Sequence, residues 1–221
     1  MQSIRIWFSK RGRAKYISHL DLMRAMSRAV RRAALPIWYT EGFNPHPYLS
    51  FPLPLPLGQE GLREAMDLRL LDDMPLDEIA RRFDKVLPEG IEVLGAAQPW
   101  CGPGEIAAAA YEIAMPCDDP NEWRANAEFL LAGGALTAKK MGKQGHRKIE
   151  KEIALAPLIL TYDLRAGEGE ALLSCVLSAG SEANLNPALL CEALGGVSSE
   201  ITRVKLLRQA NGLLGRWSEW E

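Results

Sequence analysis

Residues 39–58 read YTEGFNPHPYLSFPLPLPLG, with five prolines in twenty positions. Each proline fixes its own φ and removes a backbone donor, so no continuous helix or central strand runs through this segment. The chain must instead spend it on a long, stiff connection. Whatever fold forms has to be built on either side and has to tolerate Asn44-Pro45-His46-Pro47 as a rigid exposed loop.

Before the loop, alternating Ile4, Ile6 and Phe8 predict a strand over residues 4–10, rather than a leader segment. The basic stretch KRGRAK follows as a loop. Ser18 is placed as an N-cap, with Asp21 three residues on and Ile17 and Leu22 as a hydrophobic staple. A helix over 19–34 then puts Leu22, Met26, Ala29, Val30 and Ala33 on one side. Arg24, Arg28, Arg31 and Arg32 fall on the other. Strands are predicted for LPIWYT (35–40), 64–71 and 91–98, with a helix over 75–87 between the last two. This order, βαββαβ, is that of a ferredoxin-like unit.

The order recurs after PWCGPGEI (99–106). Strands are expected at AAAAYEIAMP, ALTAKKM, GEALLSCVLSAG and SEITRVKLLRQ, and helices at PNEWRANAEFLLA and NPALLCEALG, the latter ending at Gly195. LILTYDLRA reads as an extra strand or hairpin and GKQGHRKIEKEI as a basic loop. The expectation is an α+β chain of two tandem ferredoxin-like units, residues 1–98 and 107–221.

Composition is that of a globular protein, and no apolar run reaches the roughly 18 residues of a membrane span. A cytoplasmic protein is expected. The net charge of −2 hides an asymmetry: residues 1–50 carry nine Lys and Arg against Asp21 and Glu41. An excess of seven positive charges in the first fifth of the chain points to an anionic partner. Phosphate-cradling glycine motifs, G-x-S-x-G and H-E-x-x-H are absent. Cys101, Cys117, Cys175 and Cys191 form no C-x-x-C pair, so no metal or iron–sulfur cluster is expected in this chain and free thiols are.

His19 and His46 are the candidates for acid–base work on a phosphate. The prolines hold Asn44 and His46 at little entropic cost on binding. Tyr39 and Phe43 add aromatic surface. With Arg24, Arg28 and Arg31, this set suits unpaired nucleotides, cations meeting phosphates and rings meeting bases.

The segments YISHLDLMR, RAVRRAALP, YTEGFNPHP and SFPLPLPLG, with SAGSEANLNP further on, closely resemble the radical SAM-linked protein family, a bacterial domain found beside or fused to radical SAM proteins. That family carries an aspartate-and-arginine motif where this chain reads KIEKEIALAPLI. The resemblance implies a radical SAM partner that supplies the iron–sulfur cluster and S-adenosylmethionine. Two ferredoxin-like units with a basic first helix are also similar to the RNA-binding domains of CRISPR repeat-processing endoribonucleases. Three functions follow as expectations: an RNA-binding accessory module, presenting tRNA or rRNA to the partner and not itself catalytic; a metal-independent endoribonuclease using His19 or His46; or a protein-docking subunit.

Overall fold

The computed structural model describes the backbone of all residues except 145–146, 197–199 and 211–216, and side chains outside these and residues 140–151. The chain is α+β, with four α-helices among the described residues. It divides into two compact units: Met1–Ile106 with Arg203–Leu206 and Glu219–Glu221, and Ala107–Thr202 with Leu207–Ser218.

In the first unit, β1 (Gln2–Lys10), α1 (His19–Arg32), β2 (Leu49–Ser50), β3 (Glu60–Leu70), α2 (Leu76–Asp84) and β4 (Ile91–Ala97) follow in order. The strands neighbour as β4-β1-β3, with β2 paired to β3. β1 is antiparallel to both neighbours, Ile4 opposite Leu68 and Ile6 opposite Ala96. The even positions Ile4, Ile6 and Phe8 share one core with Leu22, Met26, Ala29 and Val30 of α1 and Ile79 and Phe83 of α2. Buried at i, i+4, i+7 and i+8, the four α1 residues make the apolar stripe that docks the helix. Each large side chain so buried contributes about 1.5–3 kcal/mol. Ser18 caps α1 as expected: its Oγ accepts from the Asp21 N–H at 3.2 Å and donates to Asp21 Oδ2 at 2.7 Å.

The basic stretch after β1 is a 3₁₀ turn, Gly12–Tyr16, rather than an irregular loop. Residues 35–40 do not form the expected strand. They make isolated bridges, Ile37 to Leu70 and Tyr39 to Pro47, because Pro36 and Pro47 lack the N–H groups a continuous ladder needs. The strand that pairs with β3 is instead the two residues of β2, inside the proline-rich segment.

The second unit runs β5 (Ala108–Pro116), α3 (Pro120–Ala132), β6 (Thr137–Gln144), β7 (Arg147–Ala154), β8 (Ile159–Ala166), β9 (Glu170–Ser178), α4 (Pro187–Ala193) and the two ends of β10 (Glu200–Gln209), whose Arg203–Leu206 count with the first unit. Its strands neighbour as β10-β5-β9-β8. Residues 142–153, expected to be a loop, mostly belong to a hairpin, β6 pairing, among the described residues, only with β7; residues 145–146 lie outside the described residues. ALTAKKM is therefore a strand of a separate two-stranded sheet, and LILTYDLRA, expected as an extra strand or hairpin, is β8 of the larger sheet, paired with β9. Gly195, just after α4, adopts φ +79°, the left-handed helix end predicted for it. No helix among the described residues is long and apolar enough to cross a membrane.

Candidate nucleic-acid interface

The proline-rich segment opens as a closed loop. Thr40 N–H donates to the His46 carbonyl at 2.9 Å, and Tyr48 N–H donates to the Trp38 carbonyl at 3.0 Å. Gly42 stands at the tip with φ +120°, a conformation that side chains with a Cβ resist. The loop is fixed on two sides. The Arg69 guanidinium of β3 lies 4.7 Å from the Tyr48 ring centroid and 5.6 Å from that of Trp38. On the helix side, Arg31 lies 5.9 Å from the Tyr39 ring, within cation–π range.

His46 is exposed yet held. Its Nδ1 is 3.1 Å from the Asn44 carbonyl and 3.1 Å from Thr40 Oγ1. A carbonyl only accepts and a hydroxyl can do either, so a tautomer with its proton on Nδ1 would donate to the Asn44 carbonyl and leave Nε2 facing outward as an acceptor. His46, Pro47 and Leu49 form one wall of a groove of about 320 Å³, and Met23, Ser27, Arg24, Arg28 and Arg31 of α1 form the other. The three arginines are exposed. Arg24 pairs with Asp21 at 3.1 Å, while no carboxylate pairs with Arg28 or Arg31 among the described residues. A second depression, of about 460 Å³, lies along the same helix, lined by Ala25, Arg28, Arg31, Arg32 and Pro88. There Arg32 donates to the Val86 carbonyl at 2.6 Å.

The structure thus brings Arg24, Arg28, Arg31 and His46 to one groove. Tyr39 touches it through Arg31. Phe43 and Asn44 sit on the exposed loop without lining it, and the Phe43 ring is wholly in solvent. His19 lines neither depression. Its ring meets Phe51 edge-on at 5.2 Å, and its Nδ1 is buried with no hydrogen-bond partner among the described residues. Burial, and then the nearby Lys10 charge, hold its pKa below the usual histidine value.

Other cations of the first unit are used internally. Lys10 donates to the Lys15 and Ile17 carbonyls at 3.3 and 3.0 Å, and its amine is pushed below its usual pKa by burial. Arg203 clasps Glu64 with both Nε and Nη2 and also donates to the Leu53 carbonyl at 2.7 Å, which ties the proline-rich segment to the sheet. Arg5 is bidentate to Asp67 at 2.7 and 2.9 Å and lies 3.7 Å over the Trp220 ring.

Sequence reasoning missed Thr40, Ser27, Met23 and Leu49. Ser27 and Met23 were within reach of a helical projection, since both flank the arginine stripe. Thr40 required knowing that residues 40 and 46 close the loop.

All four cysteines are free, and three are buried. Burial pushes the Cys175 thiol up to about 12. Among the described residues no group of three or more His, Cys, Asp or Glu is placed to hold a metal ion. Chemically, the groove offers cations, an apolar floor and one imidazole. Arginine does not give up its proton, which leaves His46 as the groove's one side chain suited to acid–base work near neutral pH.

Residues 3–187 match the model of a family described as an uncharacterized protein conserved in bacteria, DUF2344. No curated protein matches the chain.

Proposed function

The chain belongs to DUF2344, and we propose that it is an RNA-binding module whose interface is the arginine face of α1 with the proline-rich loop. One observation carries the reading: Arg24, Arg28, Arg31 and His46 share a groove, with Arg28 and Arg31 not neutralised by any described carboxylate. Uncompensated guanidinium groups beside an apolar wall match a ligand that joins phosphates to flat bases. Phe43 and Tyr39 supply further surface for stacking. Each unit is read as ferredoxin-like, a reading that the neighbour orders β4-β1-β3-β2 and β10-β5-β9-β8 support. In keeping with the sequence resemblance, the module serves a radical SAM enzyme acting on tRNA or rRNA, in the cytoplasm. The partner holds the iron–sulfur cluster and S-adenosylmethionine.

Binding is favoured over cleavage because RNA scission by a neighbouring 2′-hydroxyl needs a base and an acid. The groove holds one titratable group of that kind, and His19 does not line it. The test is binding of bulk tRNA and rRNA fragments at several salt concentrations, with the RNA recovered afterwards. Salt-sensitive binding with intact RNA supports the reading. Cleavage that persists in EDTA favours the endoribonuclease, and no binding at low salt favours a protein-docking subunit.

A further inference from the structure

We propose that the bound RNA is a single strand that crosses α1 over Arg28 and Arg31, with one nucleotide in the groove beside His46 and its neighbour in the depression beside Pro88. The inference rests on the RNA-binding reading and adds a path and a minimum length. Its basis is that Arg28 and Arg31 line both depressions, so the two lie on either side of one arginine ridge.

Each depression has the chemistry of a nucleotide subsite. The first combines arginine with the apolar Met23, Pro47 and Leu49; the second combines arginine with Ala25 and Pro88. Both volumes, about 320 and 460 Å³, fall in the range of small-ligand sites. Arg28 and Arg31 are three residues apart, about 4.5 Å along the helix axis. That spacing lets two guanidinium forks grip one phosphate. The phosphate linking two nucleosides then sits on the ridge while each nucleoside falls to its own side. Arg24, one turn nearer the helix start, is placed for the next phosphate on the His46 side.

An unpaired strand is required. Bases in a duplex face their complements and cannot be turned to opposite sides of a helix. A mononucleotide fills one depression and leaves the other empty. The shortest ligand that uses both is a dinucleotide.

The crossing is tested on the full chain by competing unlabelled uridine nucleotides against a labelled oligouridylate, read by fluorescence anisotropy. UpU is expected to compete roughly tenfold better than UMP, the gain from one added nucleotide contact. Equal competition by the two overturns the crossing without any variant being needed. Two variants then address the sides separately: Ser27→Glu places a negative charge in the first groove and Ala25→Glu in the second, with folding checked by circular dichroism. Both are expected to weaken oligouridylate binding roughly tenfold. If only Ser27→Glu weakens it, the strand occupies one groove, so the crossing fails while the RNA-binding reading stands. If neither does, both the crossing and the groove assignment fail. If the wild-type chain binds no oligouridylate at low salt, the RNA-binding reading itself fails.

Discussion

The first unit uses its cations in two ways. Arg5, Lys10 and Arg203 are almost fully buried, and each is bonded to carboxylates or carbonyls. Arg24, Arg28 and Arg31 stand exposed on α1 beside the proline-rich loop. A buried charge whose partner is removed is strongly destabilising, whereas an exposed one contributes little to stability. The first group therefore belongs to the fold, and the second is available to a ligand. A charge count over residues 1–50 cannot separate them: Arg5 and Lys10 enter the same total as Arg28 and do something different.

The largest expected effect breaks the buried side. Glu64→Ala leaves Arg203 without its carboxylate and is expected to cost about 3–5 kcal/mol in urea unfolding. Glu64→Leu combined with Arg203→Met should recover much of that loss. A near-neutral Glu64→Ala would mean that the buried group is not structural. On the exposed side, Gly42→Val meets open space but a φ that side chains resist. The expected cost is about 1–3 kcal/mol of backbone strain. It should appear as weaker RNA binding and as faster amide exchange, earliest and most strongly in residues 39–48.

The smallest effect lies between the two regions, at His19. Its folded-state pKa is lowered from 6.5. The unfolded chain then binds more protons between the folded value and 6.5, so stability falls as pH drops through that window. His19→Gln should remove this part of the acid sensitivity, visible as a flatter dependence of urea midpoint on pH below about 6.5. An identical profile would show that the His19 ring is not desolvated.

Much of the first unit was legible because local rules agreed. Ser18, the apolar stripe and the arginine stripe all specified α1, and the prolines announced a rigid loop. The burial of Lys10 was not legible. Alternation could not single it out as buried, since residues 4–10 are buried on both faces of β1 and the register to β3 shifts between Phe8 and Lys10. The arginine and His46 sides of the groove were each legible, but Thr40 as the ring's partner was not. The strand predicted at 35–40 failed because a favourable alternation was outweighed by two missing donors at Pro36 and Pro47. The β6–β7 hairpin was hidden by composition: a two-stranded hairpin needs little apolar face, and GKQGHRKIEKEI offers only Ile149 and Ile153. The Glu64–Arg203 pair spans 139 residues, and no local pattern reports a contact of that range.

The central claim is that the exposed arginines of α1 bind phosphates. It is tested most directly by the salt dependence of RNA affinity for the wild-type chain and for the triple variant Arg24→Gln, Arg28→Gln, Arg31→Gln. The slope of log affinity against log salt should become shallower by about 1.4, or roughly 0.7 for each of the two single-strand phosphates that the variant no longer neutralises. Stability of the variant should change by less than about 1 kcal/mol. A variant that binds RNA with unchanged affinity and slope would contradict the account.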